Sequence, residues 1–306
     1  MDIQLQLAKY TDRSEVAHLI YHSTNVWYQQ HGLGEIFQSA PEECHLFVDV
    51  YQQLDPDYHW VARDSQLNIL GSCFFHPRET HLGLGIMNVH PNAFGQGIAK
   101  KLLSKADELA GNLPIRLISS ALNLDSYSLY RRGGFTPYAI YQDMAISVPE
   151  QGVNLPRLTE GIVRDARTED LPAILQLEAD LLGISRQRDI EYFLNDTSGL
   201  WRIAVWEHNQ RIEGYLASIA HPASRMLGPG CSYRDEIALN LLGWMLDKHH
   251  RGATPVVLVP TERSALCQAL LRWGGRICEL HLAQAKVFCT TKLGHFSEGV
   301  FIRHRR

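Results

Sequence analysis

The feature that most constrains the fold is a repeat, because the sequence runs twice through the same order of elements. The stretches "IQLQLAKYTDRSEVAHLI" (3–20) and "EGIVRDARTEDLPAILQL" (160–177) each pass from a short strand pattern through a polar turn into a helix pattern. In the second copy, Thr168 fits the N-cap and Pro172 falls in the first turn, where its missing N–H does no harm. The sequence therefore predicts one supersecondary unit used twice.

The two copies also match further along the chain. Residues 60–77 and 201–222 both read as strand, polar hairpin and strand, and both end in His-Pro. The stretch "LYRRGGF" (129–135) is echoed by "LLRWGGR" (270–276), each after a helix pattern and before a strand. Each half is therefore expected to be an α/β or α+β unit.

The length agrees with this division, since 306 residues exceed one average domain of about 150 residues. We predict one domain over 1–148 and a second over 161–306. The linker between them, 149–160, contains the prolines, glycines and polar residues that suit an exposed connection.

The composition indicates a soluble globular protein and excludes several function classes. The chain is 45% hydrophobic and 20% charged, and its formal charge of -4 argues against nucleic acid as a partner. No uninterrupted apolar segment approaches the roughly 18 residues of a membrane span, and the N-terminus lacks a signal-peptide pattern. The six cysteines form no C-x-x-C pair, so reduced and mostly buried thiols are expected. We expect a cytoplasmic protein.

The stretch "VHPNAFGQGIAKKLL" (89–103) predicts an anion site. The strand pattern 80–89 leads into "HPNAFGQG", and a helix pattern with Ile98, Leu102 and Ala106 on one face then runs to Gly111. A glycine turn that opens a helix offers unpaired backbone N–H groups at the positive end of the helix dipole. We expect this loop to bind a phosphate.

Two common phosphate motifs do not fit the loop. A nucleoside-triphosphate loop needs Gly-Lys-Ser/Thr, and the tetrapeptide 97–100 reads Gly-Ile-Ala-Lys. A dinucleotide fingerprint needs three spaced glycines, whereas Gly83 and Gly85 lie inside the strand pattern and the third glycine is missing.

A third motif fits. The loop, the helix after it and the later "NLDSYSLYRRGGF" resemble the acetyl-coenzyme A site of the GNAT superfamily of N-acetyltransferases. The family's Gln/Arg-x-x-Gly-x-Gly/Ala is matched over residues 94–99 except at Phe94, and Val89-x-Pro91 matches as well. This resemblance implies two GNAT-like domains in tandem, each a mixed, mostly antiparallel sheet flanked by helices.

The resemblance also assigns residues to the coenzyme and to the chemistry. Tyr130 is expected to protonate the departing thiolate as the general acid, and Asn123 corresponds to the family's asparagine. The coenzyme is expected to contact the following residues: Met87, Asn88, Val89, Phe94, Gly95, Gln96, Gly97, Ile98, Ala99, Asn123 and Tyr130.

The general base stays open at this level. Many family members carry a glutamate on the strand before the loop, but "HLGLGIMNV" has no carboxylate, and His81 is its only titratable side chain. A water chain, Glu35 or an already neutral amine are the alternatives. The acceptor is expected near Trp27, Tyr28, His31 and Glu35, although a helix packing its aromatics into the core explains this region equally well.

Two further patterns predict no site. His18 and His22 are four residues apart on a helix pattern, but no third ligand accompanies them, so no metal is predicted. The stretch "RMLGPG" (225–230) satisfies the loop motif, yet it falls where a strand is expected. Leu271 and Ser264 occupy the positions of Tyr130 and Asn123. The second half is therefore predicted to be degenerate in catalysis.

Together these observations predict an N-acetyltransferase that uses acetyl-coenzyme A without a metal. Its acceptor would be the primary amine of a small molecule or a peptide, with no nucleic acid or membrane partner. A non-catalytic protein that binds or senses acyl-coenzyme A is the main alternative, and a structural pseudoenzyme is another. The sequence does not identify the acceptor or the oligomeric state.

Overall fold

The computed structural model describes residues 2–153 and 160–287, so part of the predicted linker lies outside it. The described residues form two compact units, each assembled from separate stretches of chain. Unit 1 has residues 2–117, 128–135 and 285–287, whereas unit 2 has 118–127, 136–153 and 160–284.

Unit 1 is a sheet with helices on both faces. Its strands are β1 (Gln4–Leu7), β2 (His59–Arg63), β3 (Ile69–Pro77), β4 (Leu82–Val89) and the start of β5 (Ile115–Ser120), and they are neighbours in that order. Pairing is antiparallel from β1 to β4 and parallel between β4 and β5. The helices of the first half are α1 (Arg13–Gln30), α2 (His45–Leu54), α3 (Ile98–Ala110) and α4 (Leu124–Arg132).

Strand β3 shows how both faces of this sheet are covered. Side chains alternate between the faces of a strand. Cys73 and Phe75 pack in the cluster that contains the buried residues of α3. Phe74 and His76 point the other way, where the ring of Tyr51 in α2 lies 5.0 Å from Phe74 and 4.6 Å from His76. The face opposite α3 is therefore covered by α2.

Unit 2 contains the elements of the second half together with strand β6 of the first. In chain order the strands are β6 (Thr136–Ala145), β7 (Ile162–Asp165), β8 (Trp201–His208), β9 (Arg211–His221), β10 (Ser224–Ser232), β11 (Val256–Pro260) and β12 (Arg276–Lys286). The helices are α5 (Leu171–Leu182), α6 (Gln187–Leu194), α7 (Asp235–His249) and α8 (Ser264–Arg272). From the end of β5 the sheet runs β12, β6, β11, β10, β9, β8 and β7. The predicted class, a mixed and mostly antiparallel sheet flanked by helices, is confirmed.

The last strand of each half pairs with strands of the other half. In unit 2, β6 runs antiparallel to β11, with Ala145 opposite Val256. Strand β12 lies between β5 and β6, and the N–H of Ala121 after β5 donates to the Leu280 carbonyl at 2.8 Å. The division into domains 1–148 and 161–306 is drawn from the repeat in the sequence, and it stays a prediction. A repeat in the sequence does not tell which strands pair.

The two halves begin with the same local hydrogen bond, which an aspartate accepts just before the first helix. Asp12 accepts a hydrogen bond from the N–H of Lys9 at 2.8 Å, and Asp170 accepts one from the residue three positions before it at the same distance. Each aspartate closes a short helical turn that leads into α1 or α5. The N-cap of α5 is therefore Asp170 rather than Thr168, since Thr168 begins that turn.

The described residues also bear on two expectations from composition. None of the described helices is long and apolar enough to cross a membrane. The described cysteines are free thiols, of which only Cys278 is exposed, and Cys289 lies outside the described residues.

Candidate acyl-coenzyme site

The junction between β4 and α3 is built as an anion cradle. Gly95 and Gly97 have φ angles of 77° and 78°, in the left-handed region that glycine adopts without strain. Gly97 caps α3 without a side-chain hydrogen bond, and the first intrahelical bond runs from the N–H of Lys101 to its carbonyl at 3.0 Å. The N–H groups of the first helical turn therefore have no partner within the helix and lie at its positive end.

The cradle is exposed on one side and anchored on the other. Residues Phe94 to Gly97 are exposed, and Phe94 itself is 48% exposed. Ile98 is buried against β3, where a Cβ built on Gly71 would lie only 2.6 Å from its Cγ2 atom. The close approach that Gly71 permits holds the start of α3 in place, while the loop stays open to a ligand.

Among the described residues, the strand before the loop pairs with β5 along only part of its length. Strands β4 and β5 share a register of two residue pairs, Leu82 with Ile115 and Gly83 with Arg116. Strand β4 then continues to Val89. The residues of β4 after Gly83 have backbone N–H and C=O groups that form no pair in the described register with β5. An extended ligand can bind to such an edge in the way that another strand would. This edge includes the segment 87–89 that the resemblance assigns to the pantetheine arm.

A bulge interrupts β4 where this edge begins. Cys73 of β3 lies opposite Met87, but Phe75 lies opposite Leu84, so Gly85 and Ile86 face a single residue of β3. A bulge of this kind re-aims the backbone and increases the local twist. The chain passes from the bulge through Met87 to the loop at the start of α3.

The side chain of Asn88 is already engaged. Its Nδ2 donates to Ser23 Oγ of α1 at 2.7 Å, which ties β4 to that helix. Its Oδ1 is buried and has no hydrogen-bond partner among the described residues.

Tyr130 lies beside β4 on the face covered by α3. It is 6% exposed, and its ring centroid lies 5.7 Å from that of Phe135. Burial raises the pKa of its hydroxyl, and the nearby Cys73 thiol raises it further, so the hydroxyl stays protonated at neutral pH. Within residues 2–153 and 160–287 this hydroxyl has no hydrogen-bond partner. Cys73 pairs with Met87, so the phenol lies near the segment assigned to the pantetheine arm.

Asn123 performs a local task in unit 2. Its Oδ1 accepts a hydrogen bond from the N–H of Ser126 at 2.9 Å, which is the bond of a helix N-cap at the start of α4. The structure therefore gives Asn123 a role in fixing the beginning of the helix that carries Tyr130.

His81 lies at the far end of β4 from the loop. It is buried just before the strand begins, with Nδ1 3.0 Å from Thr80 Oγ1. Val89, at the loop end, is eight residues further on, which corresponds to about 25 Å of strand. The structure does not bring His81 to the cradle, because membership of a strand does not tell which end of it a ligand uses.

The predicted acceptor residues gather at the end of α1. The rings of Trp27 and His31 stack with centroids 4.0 Å apart, and Tyr28 meets Trp27 edge-on at 5.1 Å. Glu35 is exposed and accepts a hydrogen bond from Gln29 at 2.8 Å. These four side chains therefore form a partly exposed surface rather than a buried core.

A buried network next to β4 was missed by the sequence analysis. His76 Nδ1 lies 2.7 Å from Asp55 Oδ2, and Arg78 Nη1 lies 2.8 Å from Asp55 Oδ1. Asp55 is 2% exposed. Burial alone would raise the pKa of Asp55, but hydrogen bonds from His76 and Arg78 outweigh burial and lower it. No motif signals this network, since Asp55 and His76 are 21 residues apart in the sequence, with β2 and most of β3 between them.

The described part of the second half has no equivalent cradle. The stretch 225–230 lies inside β10, as the sequence predicts. Helix α7 begins after Arg234 without a glycine, and its first turn carries Asp235 and Glu236. Asp235 pairs with Arg263 at 2.9 Å. Two carboxylates at a helix N-terminus oppose the binding of a phosphate there.

One group in the described part of unit 2 has donors suited to a divalent cation. Ligand atoms of Asp143, Glu279 and His281 lie within 4.8 Å of one another. His281 Nδ1 is 2.9 Å from Asp143 Oδ1, and Glu279 accepts a hydrogen bond from Ser120, so each group has a protein partner. The pair that the sequence analysis considered, His18 and His22, contacts Glu42 and His90 instead.

Comparison with known proteins agrees with the geometry of the first half. Residues 55–137 match the family model described as an acetyltransferase (GNAT) domain. No curated protein matches the sequence.

Solved structures match almost the whole chain. A putative acetyltransferase from Pyrococcus horikoshii has a TM-score of 0.73 at 15% identity, over 98% of this chain and 94% of that one. A GCN5-related N-acetyltransferase from Sphaerobacter thermophilus has a TM-score of 0.65 at 15% identity, over 96% and 98%. A tandem GNAT protein from the clavulanic acid biosynthesis pathway has a TM-score of 0.62 at 11% identity, over 95% and 100%. These similarities show the fold, a tandem GNAT arrangement.

Proposed function

We propose that this chain, a tandem protein of the GNAT fold with an acetyltransferase domain in its first half, transfers an acetyl group from acetyl-coenzyme A to a primary amine. One observation carries the proposal. An exposed and uncapped helix N-terminus follows two left-handed glycines at the end of β4, and the later edge of β4 has backbone groups that its register with β5 does not use. The amides of that helix suit the pyrophosphate, and residues 87–89 suit the pantetheine arm.

The chemistry needs a neutral amine, a polarised carbonyl and a proton for the departing sulfur. The backbone N–H groups of β4 are proposed to polarise the carbonyl. Tyr130 is proposed to donate the proton, because its buried hydroxyl stays protonated and lies beside the strand that would hold the coenzyme. Asn123 supports this role by capping α4.

The second half is proposed to bind no coenzyme. Its helix α7 starts with Asp235 and Glu236, and Leu271 and Ser264 stand in place of the expected acid and asparagine. The amine acceptor, from a small molecule or a peptide, is proposed to approach the surface of Trp27, Tyr28, His31 and Glu35. The alternative is a protein that binds acyl-coenzyme A without turnover. It would bind the coenzyme in the same cradle of the first half, so the cradle alone does not distinguish the two functions.

Binding and turnover separate these functions. A ligand at 100 times its dissociation constant stabilises a folded protein by about 2.7 kcal/mol, so saturating acetyl-coenzyme A should raise the melting temperature measurably. Thiol release is then followed with tyramine, spermidine, glucosamine and a peptide with a free N-terminus. A thermal shift without thiol release from any amine supports the alternative. The absence of any thermal shift contradicts both.

A further inference from the structure

Strand β4 has no carboxylate, but a histidine from the neighbouring strand fills the space over its bulge. A Cβ built on Gly85 would lie 2.4 Å from Nε2 of His76 and 3.0 Å from its Cδ2. The Nε2 edge of the ring is therefore directed at the backbone of Gly85. Gly85 lies two residues before Met87, where the assigned coenzyme segment begins, which is about 7 Å along a strand.

Asp55 holds the ring in one tautomer. A carboxylate accepts hydrogen bonds and does not donate them, so the Nδ1 atom 2.7 Å from Asp55 carries the proton. Nε2 is then left with its lone pair, and in the described part of the chain it has no hydrogen-bond partner. Arg78 also pairs with Asp55, at 2.8 Å, and balances its charge. Asp55 therefore has a second charged partner besides His76.

His76 lies on the side of the sheet where the acceptor is expected. Ser72 pairs with Asn88, whose side chain reaches Ser23 of α1, so α1 covers this face of the sheet together with α2. His76 is four residues after Ser72 on the same strand and shares its face. The charged and titratable groups that face the ring in the described structure are Asp55, Arg78 and Tyr51 of α2.

Tyr130 lies on the opposite side. It packs with Cys73, whose side chain points toward α3. A histidine on one face of β4 and a phenol on the other flank the edge that would hold the thioester. A proton can thus leave the amine on one side while another reaches the sulfur on the other.

We propose that His76 is the general base of the reaction and that Asp55 is its positioning residue, an inference that rests on the proposed function. Nε2 of His76 takes a proton from the substrate ammonium. The lone pair of the neutral amine forms the C–N bond with the thioester carbonyl carbon, and the C–S bond breaks with its electron pair on sulfur. Sulfur takes the proton of Tyr130, the second amine proton restores Tyr130, and His76 releases its proton to solvent.

The second half carries the same His-Pro feature in a different setting. His221, which also precedes a proline at the end of the equivalent strand, accepts a hydrogen bond from the N–H of Ala223 through Nδ1, at 3.1 Å. Its ring therefore supports a local turn. His221→Gln is accordingly a matched control for His76→Gln.

The test compares His76→Gln, Asp55→Asn, His221→Gln and the wild type. Acetyl-coenzyme A binding is read from the thermal shift, and thiol release is measured from pH 6 to 10 with the most active amine of the panel above. We expect His76→Gln to keep the coenzyme-induced shift and to lose about 100-fold or more of the rate at pH 7, the usual size of a general-base contribution. The loss should shrink as the pH rises, because the amine then deprotonates without help.

Asp55→Asn should show the same pH-dependent loss at smaller size, and His221→Gln should match the wild type. If Asp55→Asn does not fold, Gly85→Ala replaces it, since its methyl group would displace the Nε2 edge of His76. A wild-type rate for His76→Gln at pH 7, or a loss that is equal at every pH, would overturn the role of His76. Absence of the thermal shift or of thiol release in the wild type itself would overturn the proposed function, and the base with it.

Discussion

Replacing Gly97 by alanine tests the cradle with one methyl group. Gly97 has a φ of 78°, and a Cβ built on it has no heavy atom within 4 Å. The folded protein therefore meets no steric clash. What remains is the strain of an L-residue in the left-handed region, about 1–2 kcal/mol. For a protein of this size the melting temperature should fall by roughly 2–4 °C per kcal/mol.

Gly183 offers a matched control for that strain. It caps the end of α5 with a φ of 67°, and a Cβ there also has no atom within 4 Å. Gly183→Ala should therefore destabilise the protein by a similar amount. Only at Gly97 does the methyl group enter the space in front of unpaired helix amides. We expect the dissociation constant for acetyl-coenzyme A to rise at least about tenfold in Gly97→Ala, or about 1.4 kcal/mol, and to stay unchanged in Gly183→Ala.

Isothermal titration of acetyl-coenzyme A into the two variants and the wild type measures this difference. Melting temperatures without ligand verify that the two substitutions cost the fold about the same. Equal affinity of Gly97→Ala and the wild type would refute the assignment of the cradle to the coenzyme. A loss of affinity in both variants would show that general destabilisation, not the cradle, weakens binding.

Other parts of the structure give further predictions. Tyr130→Phe should lower the rate of thiol release at least about 100-fold and leave the coenzyme-induced thermal shift intact, and an unchanged rate would remove the phenol from the mechanism. His59 and His250 are buried, and burial lowers the pKa of each from 6.5 to about 4. Above pH 6.5 both histidines are neutral in the folded and the unfolded state. As the pH falls toward 4, only the unfolded state binds the two protons, so the free energy of unfolding should drop by on the order of 3 kcal/mol for each histidine. Urea midpoints should fall steeply across this window, and a flat profile would contradict the prediction. Glu178→Ala would remove the carboxylate 2.6 Å from Arg186, a charge whose side chain is mostly buried. It should cost about 3–5 kcal/mol in urea unfolding while coenzyme affinity in the remaining folded protein is unchanged.

The local architecture of the cradle was predictable from the residues around it. The strand pattern 80–89 corresponds to β4, and the helix pattern 98–111 corresponds to α3, which ends at Ala110 with Gly111 as its cap. Glycine tolerates positive φ, and a helix exposes its first amides wherever no side chain caps it. Both effects act within a few residues, so a short window of sequence contains their cause.

The chemistry beside the cradle depends on contacts between distant residues. His76 reads in the sequence as half of a repeated His-Pro pair, and only the folded sheet brings Asp55 to its Nδ1 and Gly85 to its Nε2. The same holds for His81, whose place at the far end of β4 follows from the direction in which the strand meets the loop. The tautomer of His76 and the end of β4 that the loop adjoins are thus set by residues far apart in the sequence.

Strand pairing shows most clearly which features the sequence alone determines and which only the tertiary structure decides. The repeat predicts two copies of the same strands and helices, because alternation and helical periodicity are local properties of the chain. It does not predict that β6 pairs with β11 or that β12 lies between β5 and β6. Any exposed strand edge satisfies the same backbone donors and acceptors, so the choice of partner falls to the packing of the whole sheet.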